Sequence, residues 1–390
     1  MHVNDLLKIA VDSDASDLHL KVGSYPMLRV RGVLVPAVAD QRLSHEDMVA
    51  IAATVLPTTH RERFKENHEI DLAYSVSGLG RFRCNAFQQR GTIGMSFRVI
   101  PMKAATIDDL ALPPVLKTIA TEERGLILVT GTTGSGKSTT LAGMIDEINC
   151  NRSAHIITIE DPIEYLHRDQ KSIVNQREVG VDTNSFGHAL RGALRQDPDV
   201  ILVGEMRDFE TIETALLAAE TGHLVLSTLH TLDATETINR IIAVFPPHYQ
   251  KQVRTQLASV LRAVISMRLL PRIDGKGRVP AVEVLITTAF IRDCIMDKEK
   301  THLIPGAIAQ GTSQYGMQTF DQSIFTLFEQ GLVSYEEALR WASNVDEFKL
   351  KVQGISTTAE LARDEMARAN TASAAKPPAT RTPEITRFGS

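Results

Sequence analysis

Cysteine is scarce in this chain: Cys84, Cys150 and Cys294 are the three among 390 residues, and their spacing pairs none of them. A disulfide framework and a zinc knuckle both need paired cysteines, so neither fits, and a reducing compartment is expected. No apolar run approaches the roughly 18 residues that mark a membrane-crossing helix. Positive charge is not in surplus either. Lys and Arg number 42 against 47 Asp and Glu, leaving a formal net charge of −5. That composition carries no general signature for nucleic acid, and no basic, aromatic-interleaved segment stands out. The opening MHVNDLLKIAVDSDASD places acids where a secretion signal starts basic and turns apolar, so no leader is expected. No tandem repeat is visible. What is present is an ordinary globular balance, 43% hydrophobic and 23% charged, at a length that suggests two or three domains.

Residues 1–100 read as a small α+β domain. Leu6, Leu7, Ile9 and Ala10 make a short helical stripe. DLHLKV alternates Leu18, Leu20 and Val22, and MLRVRGVLV alternates again after the turn GSYP. Ser44 with Asp47 three residues later marks a helix start. The stretch 69–101 reads as an antiparallel meander turning at SGLG and QQRG. Three prolines, Pro101, Pro113 and Pro114, make 101–120 a connector. From there the pattern changes to short apolar strands at 126–129, 156–159, 200–203 and 224–226, alternating with helical stretches. That is the signature of a parallel α/β sheet, expected to span 121–355 and to become helical after about 285. Residues 356–390 are rich in Ala, Thr and Pro and are expected to be disordered.

Four strand ends carry chemistry. After the first comes GTTGSGKST, which is Gly131, Thr132, Thr133, Gly134, Ser135, Gly136, Lys137, Ser138 and Thr139. Glycines let the backbone curl and aim its N–H groups at phosphate oxygens, and the following helix start adds positive potential. Lys137 is expected to reach the β and γ phosphates of ATP, and Ser138 to help hold Mg2+. After 200–203 stands Gly204, where many phosphate-loop enzymes carry Asp, and then Glu205 as the expected metal-supporting acid. After 156–159 come Glu160, Asp161 and Glu164. Pro162 forces a turn, so these acids cannot share a regular helix. One carboxylate could hold the metal and another orient the attacking water, with Glu164 and Glu160 the first choices. Asp161 has the simpler alternative of stabilising the turn. The last strand ends in His230. Ligands of parallel α/β sheets gather at the carboxyl ends of strands. His230 there would sense the γ-phosphate; a neutral histidine satisfied by core carbonyls is the alternative. His223 starts the same strand, at its far end, and a structural role is expected for it.

These residues together resemble the secretion ATPases of the type II/type IV pilus superfamily, and the pilus retraction ATPases in particular. The resemblance covers about residues 1–355. It rests on ASDLHL, GRFRCNAF, GTTGSGKST, TIEDPIEY, VNQREVG, ALRQDPDVILVGEMRD and AAETGHLVLSTLHT, in that order. It implies a PAS-like N-terminal domain before a RecA-like P-loop ATPase domain, in a homo-hexamer whose ATP sites lie at domain and subunit junctions. Arginines neutralise developing phosphate charge in such rings; the matching residues are Arg83, Arg98, Arg191 and Arg195. Arginine is always charged and its planar fork fits phosphate. Arg191 and Arg195, four apart, are expected on one helical face.

The resemblance further implies a cytoplasmic motor, peripheral at the inner membrane, that drives pilus disassembly through a platform protein, with an accessory ATPase as a possible companion. The tetracysteine insert of assembly ATPases is missing, and AFIRDCI stands where the family carries an AIRNLI-like segment. Three other functions compete. A related accessory or assembly ATPase has the same motifs. A nucleotide-gated switch would need the loop but not the acids. A DNA translocase would need a basic pore lining.

Overall fold

The computed structural model of the chain describes residues 2–39, 41–101 and 103–355. The tail expected at 356–390 lies outside them. By compactness the described residues form two units, each assembled from separate stretches: 2–106 with 138–204, and 107–137 with 205–355. This division differs from one in chain order. The helix Lys137–Asn151 illustrates why. Its Asn149 accepts from Lys171 N and Gln170 N and donates to Arg168 O, which binds the helix to the 168–171 segment of the first unit.

The first unit begins with six antiparallel strands: β1 (Ala15–Lys21), β2 (Met27–Val30), β3 (Val33–Pro36), β4 (Glu69–Val76), β5 (Gly80–Gln89) and β6 (Thr92–Ile100). They lie in the order β3-β2-β1-β6-β5-β4. The meander expected over 69–101 is β4, β5 and β6. Its second turn is the two-residue hairpin Arg90–Gly91, with φ of 48° and 74°. Positive φ at both central residues matches the right-handed twist of the flanking strands. Alternation sends Leu18, Leu20, Phe82, Met95 and Phe97 to one side, where they are buried against Leu6, Leu7, Met48 and Ile51. Each such side chain contributes about 1.5–3 kcal/mol by leaving water. The helix His45–Val55 starts where Ser44 caps it: the Ser44 hydroxyl accepts from Asp47 N while the Asp47 carboxylate accepts from Ser44 N. The short outer strand β3 exposes Val33, Leu34 and Val35.

The second sheet contains β7 (Gly125–Thr130), β8 (His155–Glu160), β9 (Ile173–Glu178), β10 (Val200–Val203), β11 (Leu224–Leu229), β12 (Leu261–Pro271) and β13 (Arg278–Ile286). Their order is β13-β12-β7-β11-β10-β8-β9. In the first unit β8 runs parallel to both β9 and β10. In the second, β7 runs parallel to β11 and β12, and β13 turns back antiparallel on β12, making the sheet mixed. The residues of β7, β10 and β11 are all buried, as near-continuous apolar runs should be. The helical part expected after about 285 is present. Phe320, Ile324, Leu327, Ala338 and Phe348 from its helices pack on Leu270, Val279 and Ala281 of β12 and β13.

Candidate active site

The phosphate loop joins β7 to the helix Lys137–Asn151. Gly131 has φ of 140°, and a Cβ there would meet Met267 O at 2.6 Å and Ser135 Oγ at 2.5 Å. Only glycine fits so close a backbone approach. Lys137 is buried, and its Nζ donates to Gly131 O and Thr132 O, both at 2.9 Å. The ammonium is thus held by the loop it serves. Ser135 Oγ is buried with no hydrogen-bond partner, a polar atom aimed at the loop's own interior. Thr132, Thr133 and Gly134 are exposed at the rim, and Ser138 and Thr139 are half-buried at the helix start. An arginine that the motif does not contain also reaches the loop: Arg278 of β13 places Nη1 3.4 Å from Gly134 O. The buried ammonium, the unpartnered hydroxyl and the glycine-built curl suit a nucleotide triphosphate with its Mg2+.

Glu205 and His230 come together. His230 follows β11 directly, and its Nε2 lies 3.6 Å from Glu205 Oε2. The ring is 42% exposed, which separates it from a histidine sealed by core carbonyls. The same Glu205 oxygen takes Arg207 Nη2 at 2.7 Å, and Met206 N donates to Thr228 O to hold this segment beside β11. Gly204, at the position where many phosphate-loop enzymes carry Asp, donates to Ile159 O at 2.7 Å. A Cβ at Gly204 would come within 3.1 Å of that same carbonyl, a tight contact for any larger residue. His223, at the far end of β11, directs Nδ1 to Ala218 O at 2.9 Å and closes the end of the helix Phe209–Glu220.

The segment after His230 is tied to the helix Ala234–Ala243. Thr231 and Thr237 hydroxyls meet at 2.6 Å, and Leu232 N donates to Glu236 at 2.8 Å. A buried acid of β13, Glu283, accepts from Ala234 N at 2.9 Å. Burial pushes the Glu283 carboxyl up to about 7, with Asp233 adding to the rise while Ala234 N and Arg268 oppose it.

In the first unit, Glu160 is the last residue of β8, and Glu164 lies on the loop after it, which is not helical, as Pro162 requires. Their environments differ. Glu164 is exposed. Glu160 turns inward: it accepts from Thr158 Oγ1 at 2.6 Å, Gln176 Nε2 at 3.1 Å and Glu164 N at 3.5 Å. Burial pushes its carboxyl above the ordinary value, partly offset by the Thr158 and Gln176 hydrogen bonds. Asp161 is exposed at the turn. Thr139 and Tyr165 hydroxyls meet at 3.0 Å, joining the start of the phosphate-loop helix to this loop.

The four arginines fall into two pairs of unlike geometry. Arg83 and Arg98 stand directly opposite each other on β5 and β6, both exposed. Arg98 Nε is 3.0 Å from Asp17 of β1. Burial alone would raise the Asp17 carboxyl; the Ser16 hydroxyl and the Arg98 guanidinium outweigh it and hold the group below its ordinary value. Arg191 and Arg195 do not share a helical face. The helix Phe186–Ala193 ends at the Leu194 cap, and Arg195 lies in the turn beyond it. Pro198 and the left-handed Asp197, with φ of 53°, send the chain on into β10.

A mixed α/β sheet with this loop and these strand-end acids defines a RecA-like P-loop ATPase, an ATP hydrolase. The chain belongs to the Type II/IV secretion system protein family, whose model matches residues 2–279. It is 47% identical to the type IV pilus retraction ATPase PilT of Pseudomonas aeruginosa over 348 residues, 89% of this chain and 100% of that protein. It is 43% identical to the type IV pilus ATPase PilU of the same organism over 353 residues, 90% of this chain and 92% of that one. Among solved structures, the pilus retraction motor PilT with bound ADP superposes with a TM-score of 0.81 at 47% identity, covering 89% of this chain and 98% of the other. Among the described residues, no helix is long and apolar enough to cross a membrane.

Proposed function

We propose that this chain is the subunit of a hexameric, Mg2+-dependent motor that powers type IV pilus retraction through an inner-membrane platform protein, working from the cytoplasmic side. The observation that carries the reading is the His230–Glu205 approach at 3.6 Å. A module that only binds nucleotide needs the phosphate loop. An exposed imidazole set against the strand-end acid gives a contact that a γ-phosphate can compete for, and cleavage can restore.

In this reading Lys137 and the 131–136 backbone grip the phosphates, while Ser138 and Glu205 hold Mg2+. The metal, when bound, spreads phosphate charge. Glu164, exposed on its loop, orients the attacking water; Glu160 is folded into the Thr158–Gln176 network and shapes that loop. Arg83, Arg98, Arg191 and Arg195 complete the site from neighbouring domains or chains, so closure gates hydrolysis and links it to motion. The first ~100 residues act as a PAS-like domain in that closure. The near full-length similarity to PilT favours retraction over assembly, and the similarity to PilU keeps an accessory motor in the same family of outcomes.

Deleting the gene is expected to leave pili extended and surface twitching lost. Pili that vanish instead would sink the retraction reading, and unchanged twitching would move the chain to an accessory role. In the purified protein, Glu205→Gln is expected to bind ATP and stall. Hydrolysis that barely changes would point to a switch in which these acids do no chemistry.

A further inference from the structure

β9 carries the polar run VNQREVG, and strand alternation puts its Gln176 and Glu178 on one face. Both side chains grip the 161–167 loop. Gln176 Nε2 donates to Tyr165 O at 2.8 Å and to Glu160 Oε1, while its Oε1 accepts from His167 N at 2.8 Å. Glu178 Oε2 accepts from Ile163 N at 3.1 Å. The same oxygen takes Arg81 Nη2 at 2.9 Å, and Arg81 comes from β5 of the N-terminal sheet. The pair is shielded from water, with side chains 18% exposed for Arg81 and 7% for Glu178. A second tether comes from the same sheet. Pro101, directly after β6, accepts from Leu166 N at 3.1 Å, and Arg81 pairs with Ile100 across β5 and β6.

We propose that Arg81 is a positioning residue for hydrolysis: through Glu178 it fixes the loop that bears Glu164 to the N-terminal sheet. The proposal rests on the reading of Glu164 as the water-orienting acid. One carboxylate oxygen serves two donors, so the loop amide and the guanidinium depend on each other. Without Arg81 the buried carboxylate loses its counter-charge. It then turns toward water and releases Ile163 N, and the loop loses its midpoint anchor. Arg81 Nε is itself buried without a partner, so this guanidinium is held in place for the Nη2 contact and not for a full set of bonds.

The test uses the full chain under conditions where it hydrolyses ATP. Arg81→Met is expected to lower kcat about 10- to 100-fold, the scale of a misplaced catalytic group, with KM changed less than about twofold. Amide exchange across 161–166 should accelerate at least about tenfold as the anchored amide is freed. Arg81→Lys should restore a large part of kcat. Glu178→Gln should lower kcat alone, and adding Arg81→Met should cost little more, because the two act as one unit.

Unchanged kcat in Arg81→Met, additive losses in the double variant, or a fall in kcat with unaltered 161–166 exchange would each overturn the proposal. If Arg81→Met does not fold, Glu178→Gln decides, and normal kcat there is equally fatal. Glu164→Gln is run alongside. If it hydrolyses ATP normally while Arg81→Met does not, the anchor stands and the water-orienting role leaves Glu164. If Glu164→Gln is dead and Arg81→Met is normal, the anchor alone fails.

Discussion

In the proposed motor, Lys137 is the residue on which the phosphate grip depends most directly. Its ammonium is buried and held by two carbonyls of its own loop. Lys137→Ala should leave the fold intact and lower phosphate release at least about 100-fold, since a charge-stabilising group is lost where charge develops. Glu283 makes a different kind of prediction. Its carboxyl titrates near 7 in the fold against an ordinary 4.5, so the folded state binds the extra proton between those values. A group raised in this way costs stability as pH climbs through that window, reaching roughly 3 kcal/mol above it. Glu283→Gln removes the titration. Its melting temperature should gain on that of the parent protein as pH rises from about 5 to about 8; a constant difference would remove the carboxyl from the account. The phosphate loop was legible because fixed spacing within nine residues encodes it. The Arg81–Glu178 pair was not, because its partners are 97 positions apart. GRFRCNAF shows two arginines on one strand face, and only packing decides that Arg81 is enclosed while Arg83 stays exposed.

Elements with a strong local signal match the sequence reading. Ser44 and Asp47 announce their helix, and the capping box is there. Ser44→Ala should cost about 1 kcal/mol in urea unfolding, the usual worth of such a cap. The hairpin at QQRG and the four apolar strands likewise follow from turn chemistry and hydrophobic runs. Three strands do not. β9 is polar on the face that grips the loop, so alternation alone gives no apolar stripe. β12 follows the helix Gln250–Val260 without a break, and its burial on both sides erases the period-two signal. β13 is apolar along most of its length for the same reason. At 191–195 the spacing of four suggests a continuous helix, but the turn before Pro198 ends it.

For the molecule as a whole, the two units interleave in sequence, each returning to chain stretches on either side of the other. If the exposed arginines act on a neighbouring chain's nucleotide, hydrolysis per subunit should rise with protein concentration and fall on dilution, as judged by phosphate release alongside light scattering. Activity independent of concentration down to the monomer would place the whole site within one chain.

The outer strand β3 bears on how such a protein survives being concentrated. It is four residues long, bares Val33, Leu34 and Val35, and ends in Pro36, which has no N–H to offer. An incoming strand finds too few rungs there to hold on, so the greasy edge stops growth where a longer one would seed fibres. Pro36→Thr should supply the missing rung and hasten thioflavin-positive assembly on gentle heating, even though no residue of the nucleotide site has been touched.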